Sequence, residues 1–432
     1  YTTLFRSTRR NLSPRWEHLC AGPDERARHR DECTDGGRIH NPAYDLYRDY
    51  QKALKAAPRR LGNPGVPVPF APTLEAEVLP SRRRIEAAIR DIIRTWSDSL
   101  REAAANYYRH RFGVELDPET EVISTIGAKE GFSHLMWVLL EKGDVALVPS
   151  PSYPIHIFGP LFAGANVREI PLGTGDEFFA NMVGQWEYSH PKPRVIVLSF
   201  PHNPTTTCVD LDFMQRVVDF AREHEVLLVH DNAYADLGFD GYRPPSILQA
   251  DGAKEVAVEL YSMTKSFSMA GWRMAFLLGN PEVIAALAKL KSYLDYGTFQ
   301  PIQIAATVTM NEAIDFPSEV NEIYQSRRDA LCSGLARIGW EIEPPMGTMF
   351  AWAPVPEQFK EAGSLLFSKL LIEHADVAVA PGVGFGEHGD DFVRLAFVEN
   401  EHRIRQAARS IKKFFQSSTK QPNNVVPLAA RR

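Results

Sequence analysis

A single lysine, Lys265, stands in "SMTKSFSMAGWR" (262–273), three residues after Ser262 and eight before Arg273. An amine set among small hydroxyl residues, with a guanidinium close behind, can bond a carbonyl compound while an anion is held beside it. Four other short stretches carry groups suited to the same ligand. Asp231 and Tyr234 lie in "HDNAYAD", Asn203 in "PHNPTTT", Tyr153 in "PSYPIH", and Gly127, Ala128 and Lys129 in "TIGAKEG". A carboxylate can pair with a basic ring nitrogen, and an amide and a phenol can hydrogen-bond a phenolic oxygen. A tyrosine can cover a ring face, and backbone N–H groups at a helix start attract an anion. Taken singly, each has an ordinary explanation. A lysine after a strand is usually solvated, an aspartate there is often a helix cap, "NPT" is a turn, and Tyr153 is rim packing. Their joint order sets them apart. One ligand unites them: an anion, an aromatic ring with a basic nitrogen, and an aldehyde that takes a lysine. That ligand is pyridoxal 5′-phosphate.

These residues need a scaffold that delivers them to one rim. Near-continuous apolar runs read as buried strands in "EVISTI", "DVALVPS", "PRVIVLSF", "VLLVHD", "VAVELYS" and "MAFLLGN". Helical patterns alternate with them: "GAKEGFSHLMWVLLEKG", then "DLDFMQRVVDFAREHE" with Phe213, Val217 and Ala221 every four residues, then "PEVIAALAKLKSYL" opened by Pro281. This alternation predicts an α/β fold with a mostly parallel sheet covered on both faces. Ligands of such sheets bind outside the carboxyl ends of the strands, which is where the polar groups fall. After about 300 the pattern changes to the long helix "SEVNEIYQSRRDALCSGLARIG" and the short strands "TMFAWAPV" and "FVRLAFVE". A last amphipathic helix spaces Ile404, Ala408, Ile411 and Phe415. We therefore expect a large domain at 100–300, a smaller α+β domain at 301–417 and a loose tail at 418–432.

Bulk composition narrows the function. The 432 residues carry a net charge of −6, with 44% hydrophobic and 24% charged residues. That balance opposes nucleic-acid binding. No apolar run reaches the roughly 20 residues that span a bilayer, and no signal-peptide pattern is present. Cys20, Cys33, Cys208 and Cys332 form no CxxC pair, which argues against a disulfide scaffold or zinc site and for a reduced, cytoplasmic protein. His156, His202 and His230 come near the rim without metal-ligand spacing and read as structural, so no metal is expected. "GVGFG" at 382–386 is a weak glycine pattern and does not read as nucleotide-binding.

The order Gly-Ala-Lys, Tyr153, "NPT", "D-x-x-Y", "S-x-x-K" and an arginine eight residues on resembles the class I/II aminotransferases, fold type I, from about 100 to 415. "TIGAKEG", "PSYPIHIFG", "VHDNAYAD", "KSYLDYGTF" and "PGVGFGEHGDDFVRLAFVEN" most resemble the bacterial glutamate–pyruvate (alanine) aminotransferases, a group similar to the LL-diaminopimelate aminotransferases. The resemblance implies a large domain with a seven-stranded-type sheet. It implies that Lys265 bonds the cofactor and moves the proton at the substrate's Cα, and that Asp231 pairs with the ring nitrogen. Such a pair is worth on the order of 4 kcal/mol at an effective dielectric near 20. It further implies that Asn203 and Tyr234 bind the ring oxygen, that Tyr153 stacks on the ring, and that Ser262, Arg273, Lys129, Ala128 and Gly127 hold the phosphate. Arg394, Asn203 and Gly62 then meet the substrate. The implied activity moves an amino group between L-alanine and 2-oxoglutarate. Alternatives are another donor, such as LL-diaminopimelate, aspartate or aromatic amino acids, or a non-catalytic sensor or inactive chain. A homodimer is implied, with "DYGTF" at 295–299 reaching the partner's cofactor.

Two departures from the family stand out. Thr206 takes the place of the usual glycine after "NPT". Residues 1–99 are atypical: "LGNP" at 61–64, within 61–65, resembles the substrate loop with Gly62 in its place, but 66–99 does not resemble the family. Residues 1–60 hold eleven arginines, and no tyrosine lies between Tyr50 and Tyr107 to reach a neighbour's phosphate. The expectation is a non-native or out-of-frame segment.

Overall fold

The computed structural model describes residues 98–173, 175–295 and 297–420, with side chains through 417. The expectations for Gly62, for 1–97, for Tyr296 and for 421–432 lie outside these residues. The described chain falls into two compact units, 98–322 with 345–348, and 323–344 with 349–420.

The first unit is built on a seven-stranded sheet of order β1-β7-β6-β5-β4-β2-β3. The strands are β1 (Val122–Thr125), β2 (Val145–Ser150), β3 (Asn166–Pro171), β4 (Val195–Leu198), β5 (Leu227–Asn232), β6 (Ala257–Ser262) and β7 (Ala275–Gly279). β7 is antiparallel to β1 and β6, and the other pairs are parallel. Every residue of β2, β4, β6 and β7 is buried, as the unbroken apolar runs demand. The sequence reading lacked β3. Its "NVREIP" alternates exposed and partly buried residues, the signature of an edge strand carrying charge.

Helices cover both faces. On one lie α2 (Ala128–Leu139), α3 (Pro154–Phe162) and α6 (Pro281–Leu294), whose Phe132, Leu135, Met136, Val283 and Leu287 join Val148, Val197, Val229, Val258 and Leu277 in one core. On the other lie α4 (Gly175–Tyr188) and α5 (Leu211–Glu223), where Phe200 meets Phe178 and Phe213 edge to face. Each such buried side chain contributes about 1.5–3 kcal/mol. Asp210 caps α5 by accepting from Phe213 N at 2.9 Å, and Asn280 caps α6 by accepting from Glu282 N and Val283 N. Removing either cap costs about 1 kcal/mol. The helix α1 (98–112) is fastened by two buried acids. Tyr107 donates to Asp236 and Tyr108 to Glu259, at 2.9 and 2.7 Å, and Arg111 Nε meets Asp236 at 2.9 Å. α7 (Gln300–Glu312) and the start of α8 (Phe316–Ala336) complete the unit.

The second unit has a three-stranded antiparallel sheet, β8 (Phe350–Pro354), β10 (Phe392–Ala396) and β9 (Ala380–Pro381), in that order. α9 (Gly363–Ala375) and α10 (Glu401–Lys420) accompany it. Phe359, Phe367, Phe414 and Trp340 form its aromatic core. Ile404, Ala408 and Ile411 are buried on α10; Phe414, rather than Phe415, completes the fully buried stripe. Among the described residues no helix is long and apolar enough to cross a membrane.

Candidate active site

Strand register brings distant segments to one rim. Thr125, the last residue of β1, and Ser262, the last of β6, both pair with Ala275, the first of β7. The chain therefore leaves β1 and β6, and enters β7, at the same edge. Asp231 is one residue from the end of β5, beside Leu260 of β6. Asn203 follows β4, Tyr153 follows β2, and Tyr234 follows β5, all from parallel strands.

At this edge Gly127 and Arg273 touch. A Cβ on Gly127 would fall 2.0 Å from Arg273 Nη2, and both residues hold left-handed backbone, φ 80 and 57. Only glycine admits the guanidinium so close to the first turn of α2. Among the described residues no side chain caps that turn, which leaves its first N–H groups without a side-chain acceptor there. Glu130 steadies the loop by accepting from Ile126 N at 2.7 Å. Ser262 Oγ faces the one-turn helix Met263–Ser266, accepting from Thr264 N, and Lys265 sits in that turn, half-buried. Lys129 Nζ lies 5.3 Å above the Tyr153 ring, a cation–π contact.

Asp231 forms the second focus. Its Oδ2 is 2.9 Å from His156 Nε2, and His156 Nδ1 is 3.1 Å from Ser152 Oγ. Its Oδ1 is buried and has no hydrogen-bond partner among the described residues. A buried carboxylate oxygen in that condition suits an N–H donor on a charged ring. Tyr153 meets His156 edge-on at 5.7 Å, so one ring system borders both foci. His202 is fully buried in the turn carrying Asn203. Burial first, and the neighbouring His156 second, push its pKa down to about 3, so it is neutral. Its Nδ1 pairs with Thr205 Oγ1 at 2.8 Å. Asn203 and Tyr234 are buried.

The set fits the cofactor that the sequence suggests. Asp231 would hold its ring nitrogen. Gly127, Ala128, Ser262 and Arg273 offer an anion site that combines backbone N–H groups, a hydroxyl and a guanidinium. Arg394 lies in the second unit on β10, with its Cζ 4.1 Å from the Phe350 ring centre and 4.7 Å from that of Phe385. The sequence reading passed over Ser152 and took His156 as structural. Their spacing, one helical turn apart beside Tyr153, was the available signal. The contact that matters crosses 75 residues to Asp231. His230 serves a buried hub instead, bonding Glu259 at 2.8 Å.

Comparisons with known proteins show the family and the fold. The family model described as aminotransferase class I and II matches residues 89–411, beginning inside the stretch that the sequence reading set apart. The glutamate-pyruvate aminotransferase AlaC of Escherichia coli K12 is 49% identical over 318 residues, 74% of this chain and 77% of that one. An LL-diaminopimelate aminotransferase of Dehalococcoides mccartyi is 39% identical over 319 residues, 74% of this chain and 81% of its own. Among solved structures, substrate-bound BacF from Bacillus subtilis superposes with a TM-score of 0.68 at 33% identity, covering 87% of this chain and 95% of BacF.

Proposed function

We propose, since this chain belongs to the class I and II aminotransferases and is an aminotransferase acting on amino and 2-oxo acids, that its substrates are L-alanine and 2-oxoglutarate and its products pyruvate and L-glutamate. The family depends on pyridoxal 5′-phosphate, and this chain's own residues suit that cofactor. The observation that carries the reading is the buried Asp231 Oδ1, without a hydrogen-bond partner among the described residues, on the same rim as Lys265 and the Gly127–Arg273 cradle.

Bound pyridoxal phosphate supplies an aldehyde for amines and a protonated ring that draws electrons from the substrate's Cα. Lys265 Nζ would hold the cofactor's aldehyde carbon and, once displaced by the incoming substrate amine, would serve as base and acid for the Cα proton. Asp231 would keep the ring nitrogen protonated, while His156, fixed by Ser152, holds the carboxylate in orientation. Asn203 and Tyr234 would bind the ring oxygen, and Tyr153 would cover the ring face. Arg273, Ser262, Lys129 and the backbone at Ala128 would hold the phosphate. Arg394 would grip the substrate's α-carboxylate with its planar fork, aided by Asn203.

The same reading includes a homodimer. α2, α3 and α6 leave Trp137, Phe158, Phe162 and Tyr293 exposed on one helical layer, and Phe299 is exposed in the segment that follows. The free thiols Cys208 and Cys332 suit a reducing cytoplasm.

Two measurements test the reading. Lys265→Ala should bind the cofactor weakly, lose its visible absorbance band and lose transamination; full turnover in that variant would refute the assignment. Half-reactions across amino acids, followed by cofactor absorbance, should be fastest with L-alanine and L-glutamate. A faster reaction with LL-diaminopimelate would favour that donor instead, a reading that rests on the second relative.

A further inference from the structure

The glycine run at 382–389, "GVGFGEHG", belongs to the second unit, and its geometry is demanding. A Cβ on Gly382 would lie 1.9 Å from Gly389 O and 2.4 Å from Phe392 O, and one on Gly389 would lie 2.3 Å from Gly382 O. The loop is thus folded onto itself and onto the start of β10 at a distance that side chains forbid. That fold sets Phe385, 6% exposed, against the Arg394 guanidinium, with Cζ 4.7 Å from its ring centre. From the neighbouring strand Phe350, 7% exposed, meets the same guanidinium at 4.1 Å. Trp352, the register partner of Arg394, braces Phe385 edge-on at 6.0 Å and stacks on Phe392 at 5.2 Å.

Rings engage the face of a guanidinium, whereas a carboxylate engages its edge. Two buried rings against Arg394 fix the plane of the fork without using the in-plane N–H groups that recognise a carboxylate. We infer that Phe350 and Phe385 are positioning residues for substrate, holding Arg394 so that it binds the α-carboxylate of amino and 2-oxo acids alike. The glycines of the 382–389 loop exist to bring Phe385 to that place. The inference rests on the reading of Arg394 as the carboxylate grip.

The experiment uses holoenzyme saturated with pyridoxal phosphate. Phe385→Leu and Phe350→Leu keep apolar volume and remove the ring quadrupole. Each should raise KM for L-alanine and 2-oxoglutarate about tenfold and leave kcat within about twofold. Each should also weaken binding of 2-methylalanine, which keeps the carboxylate but has no α-hydrogen, by a similar factor in calorimetry. Phe385→Tyr should restore wild-type values. Should a leucine variant fold poorly, pentafluorophenylalanine at 385 keeps the shape and reverses the quadrupole, and the same KM rise is expected. Unchanged KM and 2-methylalanine affinity in the ring-depleted variants would overturn the inference. Arg394→Ala separates the two claims. If it raises KM while the ring variants do not, the clamp is wrong and the grip stands. If it leaves KM unchanged, the grip is wrong and the clamp falls with it.

Discussion

Thr206 and Arg273 hold left-handed backbone, φ 62 and 57, where an L side chain is strained by roughly 1–2 kcal/mol. The two should respond differently to glycine. Thr206 closes the turn behind Asn203 by donating its N–H to His202 O at 2.9 Å, and a glycine would meet the same angle without strain. Thr206→Gly should raise Tm by a few degrees, an expected net gain of about 0.5–1 kcal/mol after the entropy of glycine is counted, with kcat unchanged. A fall in Tm would show the threonine to be held by something more than its backbone. Arg273→Gly removes the same kind of strain but also the guanidinium beside Gly127. Apo stability should hold or rise, while affinity for pyridoxal phosphate falls about 100-fold and affinity for phosphate-free pyridoxal stays level. Equal losses for both ligands would place Arg273 away from the phosphate. Asp231→Asn keeps the shape and removes the charge. Losing an interaction of about 4 kcal/mol should lower kcat by about three orders of magnitude, read in single turnovers.

Elements are joined by buried charges that the sequence could not show. Glu259 in β6 accepts from His230 Nδ1, Tyr108 OH, Ser246 Oγ and Ile247 N at 2.7–2.9 Å. Burial alone pushes its carboxyl up, yet the bonds from His230, Tyr108 and Ser246 outweigh this and hold the pKa below the ordinary glutamate value. Its stabilisation is therefore full above the ordinary pKa, about 4.3, and fades as pH falls through the lower folded value. Glu259→Gln should be less stable at pH 7 by about 3 kcal/mol, with the gap narrowing below about pH 4 in urea titrations. A gap that widened in acid would contradict this. Lys291 of α6 is buried and bridges Glu130 and Asp295 at 2.8 Å each, tying the Gly127 loop to the turn after α6. Lys291→Met should weaken pyridoxal phosphate about tenfold and spare pyridoxal. The strands buried on both faces were legible because their apolar runs are unbroken. β3 was not, since an edge strand alternates, and α4 was not, since its apolar residues are interrupted by Gly184 and Gln185. Rim positions such as Asp231 and Ser262 were legible because each lies at or next to the end of a strand. Ser152, His156, Phe350 and Phe385 were not, because they act through another residue brought close only by folding.

At the scale of the whole molecule, the exposed aromatic layer on α2 and α3 gives the dimer a concrete test. Phe162, 67% exposed, stacks on Phe158 at a 6.0 Å centroid distance. Phe162→Asp should shift light scattering from dimer toward monomer at assay concentration; a wild-type chain already monomeric and active would refute the assembly. The sheet order has a consequence for how the chain is made. Among the described residues β1 has β7 as its single sheet neighbour, and Thr125 pairs with Ala275, about 150 residues later. At roughly 5–20 residues per second a ribosome takes about 8–30 s to cover that distance. Through that interval the segment leading into the Gly127 loop has left the ribosome without its partner, while β2, β3, β4 and β5 can already pair among themselves. The anion cradle is thus begun early and finished last. On a nascent chain, amides of β1 should gain protection from hydrogen exchange only once β7 is out, so a ribosome stalled before 275 carries a sheet that cannot hold the cofactor's phosphate.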